Sequence, residues 1–133
     1  MKPVRVRLSR AKGWRMPPNT VSVARPSIWG NPWRVGVDGD AAHCVEQYER
    51  RLRDVAVAAW PKEEPWRSRA VNAPPAELAA AELRGKNLAC WCKITSHGVY
   101  QPCHADVLIS LANDIPMSEV RSENVRRAES KAP

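Results

Sequence analysis

The chain has no phenylalanine. Apolar residues make up 44% of it, so valine, leucine and the six tryptophans must fill its core. It also lacks any apolar run near the roughly 18 residues that a membrane-spanning helix needs. The basic amino terminus is not followed by the apolar stretch of a secretory signal, so neither a span nor a signal peptide is expected. Without a signal, four cysteines among 133 residues point to a reducing, cytoplasmic setting in which thiols stay free or bind metal. Acid is absent from residues 1–37, which hold eight basic residues, so the remainder nets about −1 against +7 for the whole chain. A basic amino-terminal third suits phosphate-bearing partners, nucleotide or nucleic acid, although a solvated basic surface can serve solubility alone. Trp14, Trp29 and Trp33 are interleaved with the arginines and offer faces on which bases can stack.

Three of the four cysteines and two of the three histidines lie between Asn87 and Asn113. Residues 87–92 are short, apolar and preceded by Gly85 and Lys86, which predicts a buried strand. Residues 101–113 read as a helix: Pro102 suits the first turn, and Val107, Leu108, Leu111 and Ala112 recur at helical spacing. A polar loop with Gly98 separates the two. This order brings Cys92, Cys103 and His104 to the place where a strand ends and a helix begins. Open α/β sheets bind ligands at that edge, and a helix amino terminus attracts anions and lowers thiol pKa.

The rest of the chain supplies elements around that centre. Residues 3–8 and 20–24 alternate as half-buried strands do. Between Arg25 and Trp33 the sequence RPSIWGNPW reads as a loop. Arg25 offers a fork for phosphate or carboxylate, Trp29 a stacking face, and Asn31 both donors and acceptors. The same loop also reads as a stiff turn whose tryptophans cap the core, with Gly30 and Asn31 at positive φ. Residues 33–37 suggest a short extended piece. Asp40 can cap a long amphipathic helix over 41–60, with Cys44, Tyr48 and Leu52 on its apolar face. Residues 61–75 form a proline-rich loop, and a second helix starts at Pro75 or Ala76 and stops before Gly85. The expected architecture is a small single α/β domain over residues 1–115, with a short, mostly parallel sheet flanked by helices. Residues 116–133, where apolar residues are sparse and charges balance, are expected to be a mobile or weakly helical tail.

Several blocks taken together carry a resemblance. KGWRMP at 12–17, RPSIWGNPW at 25–33, LRGKNLACWC at 83–92 and CHADVLISLAN at 103–113 resemble the blocks of an uncharacterised domain family of phages and bacteria. The resemblance spans 12–113. It departs at Trp33, where that family usually has phenylalanine, and in a longer insert between Cys92 and Cys103. It implies that these blocks are family features, and carries no assigned activity.

Three readings of the cysteines follow. Residues two apart on a strand face the same way, so Cys90 and Cys92 can present both sulfurs, and Cys103 and His104 can complete a three-sulfur, one-nitrogen zinc site. His97 is an alternative to His104. Alternatively, Cys103 in a helix's first turn is a lowered-pKa nucleophile with His104 or His97 as acid–base partner. In the plainest reading, Cys90 and Cys92 are small core residues and His104 bonds a backbone carbonyl. The leading functional expectation is a nucleotide- or nucleic-acid-binding α/β domain, as a binding module or a processing enzyme. Arg25 would hold phosphate, Trp29 and Asn31 would contact the base, and the backbone around His104 and Ala105 would hold an anion. The rival is a non-catalytic, zinc-stabilised nucleic-acid-binding domain, or a phage accessory module that binds a protein.

Overall fold

A computed structural model describes residues 3–24, 29–31, 33–54 and 75–130. Its centre is β3 (Asn87–Cys90), which pairs in parallel with β1 (Arg5–Arg7) on one side and β2 (Thr20–Ser22) on the other. Leu88, Ala89 and Cys90 are all buried, as expected for a parallel strand covered on both faces. The ladder continues past the strands: Val23 N–H donates to Ala89 O at 2.8 Å, and Leu8 N–H to Cys90 O at 2.7 Å. All three carboxyl ends therefore leave the sheet at one edge. The α/β class expected from the sequence is the one found.

Helix α1 (Ala41–Asp54) begins as expected at Asp40, whose Oδ1 accepts the His43 N–H at 2.8 Å. Its Cys44, Tyr48 and Leu52 point into the core at four-residue spacing. The expected continuation over 55–60 lies outside the described residues, as does the loop over 61–74. Helix α2 (Pro75–Leu83) ends before Gly85, which has φ +77°. Helix α3 (His104–Asn113) packs against α1, α2, β3 and the helix that follows it, so it is buried nearly all round.

Three expectations need correction. Residues 33–37 are a turn, not an extended piece: Arg34 N–H donates to Asp38 Oδ2 at 2.8 Å, and Arg34 O accepts from Asp38 N–H at 2.8 Å. Gly36 (φ +88°) and Gly39 (φ +131°) permit that reversal. The central strand stops at Cys90, not Cys92, because the chain bends at Trp91 and Cys92. The polar loop after it contains a hairpin, β4 (Thr95–Ser96) and β5 (Val99–Tyr100), turned by His97 and Gly98 at φ +52° and +77°.

The segment read as a mobile or weakly helical tail carries α4 (Met117–Ser130). Two of its residues, Val120 and Asn124, are buried. Asn124 Oδ1 accepts the Arg5 N–H at 2.8 Å, and its Nδ2 donates to Asp106 Oδ1 at 3.0 Å and Tyr100 Oη at 2.9 Å. Asp106 Oδ2 in turn accepts from the Arg5 guanidinium at 3.1 Å and from the Tyr100 hydroxyl at 2.8 Å. One buried polar network thus ties β1, β5, α3 and α4 together. Replacing Asn124 by alanine leaves buried partners unsatisfied, and each such loss costs about 1–3 kcal/mol. Urea denaturation of Asn124→Ala should show that loss, whereas unchanged stability would mean that α4 does not anchor the fold.

Candidate metal centre

The strand–helix edge gathers its thiols tightly. The sulfurs of Cys90, Cys92 and Cys103 all lie within 4.8 Å of one another, and those of Cys90 and Cys103 are 3.2 Å apart. They are close enough to hold a metal ion together. The bend at Trp91–Cys92 sets this geometry: Cys90 stays buried in the sheet while Cys92 emerges at the surface.

Cys103 lies one position outside the helix. It is the N-cap of α3, with extended backbone (φ −147°, ψ 151°) and no side-chain cap bond, and its carbonyl accepts the Asp106 N–H at 3.0 Å. The expected lowering of its pKa is therefore reversed. Hydrogen bonds to Cys90 and Cys92, together with burial, push the Cys103 thiol well above its ordinary value. Cys90 accepts stabilisation from Cys103, but its bond to Cys92 and its burial outweigh that and push it up to about 12. Cys92 goes the other way. Hydrogen bonds from Cys103 and Cys90 hold its thiolate well below the usual thiol range, aided by the nearby charges of His104 and Arg5. Among the three adjoining thiols, the exposed one is the readiest to ionise.

His104 adds a nitrogen beside the sulfurs. Its Nε2 is 2.7 Å from Val23 O. A carbonyl only accepts, so Nε2 donates to it, and in the neutral ring Nδ1 carries the lone pair. That Nδ1 is 3.5 Å from Cys103 Sγ. The carbonyl bond of the plainest reading is present and leaves Nδ1 beside Cys103. His104, expected as the fourth ligand, is not among the atoms that all lie within 4.8 Å of one another, which are the three sulfurs. The Tyr48 ring meets the imidazole edge-on with centroids 5.2 Å apart. His97 is exposed at the hairpin turn and is not in the cluster. Cys44 is buried and also outside it.

Behind the cluster lies Arg5, its side chain fully buried and paired with Asp106. Its guanidinium also donates to Lys93 O at 2.9 Å, which fixes the chain just past Cys92, while its Nε has no hydrogen-bond partner. Its positive charge favours the thiolate forms of Cys90 and Cys92.

A cavity of about 620 Å³ opens over the thiols. Its lining includes Cys92, Cys103 and His104 from the strand–helix edge and Asn31, Trp33 and Arg34 from the segment before α1. The expected ligand-binding residues divide. Asn31 reaches the cavity, but its side chain also holds the loop: Nδ2 donates to Cys44 O at 3.3 Å and Oδ1 accepts the Trp33 N–H at 2.9 Å. Trp29 is 7% exposed and belongs to the core, with its carbonyl accepting the Tyr48 hydroxyl at 2.8 Å, so it offers no free stacking face. Ala105 is fully buried in α3 and does not line the cavity. Arg25 lies outside the described residues. Sequence reasoning passed over Trp91 and Arg34. Strand alternation held only part of the signal for Trp91, since it follows the inward Cys90, but the strand ends there and Cys92 is exposed as well. In metal-free protein at mildly acidic pH, iodoacetamide should label Cys92 first and leave Cys90 and Cys103 intact; peptide mapping that found Cys103 labelled first would restore the helix-start nucleophile.

No curated protein sequence and no solved structure matches the chain significantly. A family model does match, over residues 6–114, which takes in β2, β3, all of β1 but Arg5, the thiol cluster and α3. The chain therefore belongs to the family described as Domain of unknown function (DUF4326).

Proposed function

We propose that this domain binds a nucleotide, or the end of a nucleic acid, in the cavity at the carboxyl edge of its sheet, beside a zinc ion held by Cys90, Cys92, Cys103 and His104 Nδ1. The observation that carries the reading is the convergence of three sulfurs at the cavity, with His104 Nδ1 beside one of them. Zinc bonds of about 2.3 Å to sulfur and about 2.0–2.1 Å to nitrogen put neighbouring tetrahedral ligands roughly 3.5–3.8 Å apart. The observed 3.2 Å between two sulfurs and 3.5 Å from sulfur to Nδ1 are near those spans. The Val23 carbonyl then plays the part that outer partners of metal-bound histidines commonly play, fixing tautomer and ring orientation. Zinc would supply charge to offset the thiolates and would join β3 to the start of α3.

Support for the ligand class comes from the lining residues that precede α1. Arg34 presents a fork suited to phosphate, and Trp33 lines the same cavity as a broad aromatic surface. No acidic residue lines the cavity among the described residues. With the metal site closed by four protein ligands, binding rather than turnover is the primary role. A second reading, a processing enzyme, has one specific support: the exposed Cys92 thiolate faces the cavity and would be the nucleophile in place of Cys103.

Purified protein should contain a single zinc ion per chain, and Cys103→Ser should lose it. Because Cys90 and Cys103 must shed protons to bind metal, zinc affinity should rise with pH, and a chelator should lower the melting temperature. Elemental analysis that finds no metal would leave the thiolate reading in its place. Nucleotides should raise the melting temperature by mass action, by about 2.7 kcal/mol of stability at a hundredfold excess over Kd. Arg34→Ala should weaken that response. A screen in which no nucleotide or oligonucleotide shifts the transition would remove the ligand reading.

A further inference from the structure

The cavity does not end at Trp91. This residue is 46% exposed, unusual for so large an apolar side chain, and it lines both the main cavity and a second, shallower one of about 350 Å³. The second hollow is formed by Trp91 with Arg7, Leu8, Ser9 and Arg10. Its floor is the continuation of β1, held against the end of β3 by the Leu8 N–H bond to Cys90 O at 2.7 Å. The Arg10 guanidinium sits 4.9 Å from the centre of the Trp91 ring. Arg7, at the end of β1, is exposed beside it. No acidic residue lines this hollow either, among the described residues.

We infer that Trp91 and the Arg7–Arg10 segment form a ledge that carries a polynucleotide into the cavity, so that the partner is single-stranded nucleic acid rather than a free nucleotide. This rests on the cavity reading above and extends it. A flat aromatic at a ridge between two hollows, with guanidinium groups on its outer side, matches how single strands are bound: bases stack on aromatic faces while cations follow the phosphates. A duplex does not fit the same groups, because its base faces are already stacked on one another and hidden. Trp91 takes a base next to the one in the cavity, and Arg7 and Arg10 take the adjoining phosphates. This also gives the exposed tryptophan of the CWC block a role that core packing does not.

Fluorescence anisotropy with labelled oligo-dT and oligo-U about ten bases long tests the ledge. The full-length protein should bind a strand more tightly than it binds the matching mononucleotide, and the two sugars distinguish DNA from RNA. Trp91→Ala should weaken strand binding roughly tenfold, the order expected for losing one stacked base, and Trp91→Phe should recover most of it. The double variant Arg7→Ala/Arg10→Ala should lower the salt dependence of strand binding by about one to one and a half units of log K per log salt, since each phosphate contact on a single strand contributes about 0.7. Unchanged melting temperatures would establish that the variants are folded. Strand binding no tighter than mononucleotide binding, or variants that bind strands as the parent does, would overturn the ledge while leaving the cavity reading intact. If neither strand nor mononucleotide binds, both are overturned.

Discussion

Parallel pairing on both sides of β3 is the constraint from which the site follows. Because β1, β2 and β3 run the same way, their carboxyl ends reach one edge together. There Val23 leaves β2 with its carbonyl in reach of His104, Cys90 ends β3 with its sulfur in reach of Cys103, and Arg7 ends β1 beside Trp91. Antiparallel pairing of any one strand would send its end to the opposite side and break the cluster or the hollow. The thiols are thus assembled by topology, although Cys90 and Cys103 are thirteen positions apart.

Charge is managed from behind the same edge. Arg5 is buried at the start of β1, where an unpaired guanidinium would be very costly. Asp106 supplies the counter-charge from the first turn of α3, and Tyr100 and Asn124 satisfy its remaining lone pairs. Arg5 is therefore held in one position, and from there its field favours thiolate on two of the cysteines. The arrangement couples fold to site: the residues that lock α4 and the hairpin also fix the cation that stands behind the cysteine cluster.

Much of this was legible in the chain. The short apolar run before CWC, the apolar spacing after Cys103 and the glycine after Leu83 identified β3, α3 and the end of α2, because each signal is local. Asp40 as a cap is equally local. The convergence of Cys90, Cys92 and Cys103 could be anticipated from strand–loop–helix order, although the sequence attributed it to strand alternation and the structure attributes it to a bend at Trp91–Cys92. Other features depend on contacts distant in sequence. Asn124 is polar and sits in a charged stretch, so nothing near it reveals that its partners are Arg5, Tyr100 and Asp106. Arg5 looks like one more member of a basic stripe until Asp106 is seen beside it. Trp29 looks like a recognition residue until Tyr48 and the core close over it. The exposed tryptophan beside the cluster is Trp91, at the bend that follows β3.

The central claim is that three sulfurs and His104 Nδ1 together hold a metal at the cavity wall. X-ray absorption at the zinc edge of the purified protein tests it most directly. The expected spectrum has three sulfur scatterers at about 2.3 Å and one nitrogen at about 2.0–2.1 Å. His104→Ala should remove the outer-shell scattering of the imidazole ring while the sulfurs remain. A shell without sulfur, or an imidazole signal that survives the loss of His104, would contradict it.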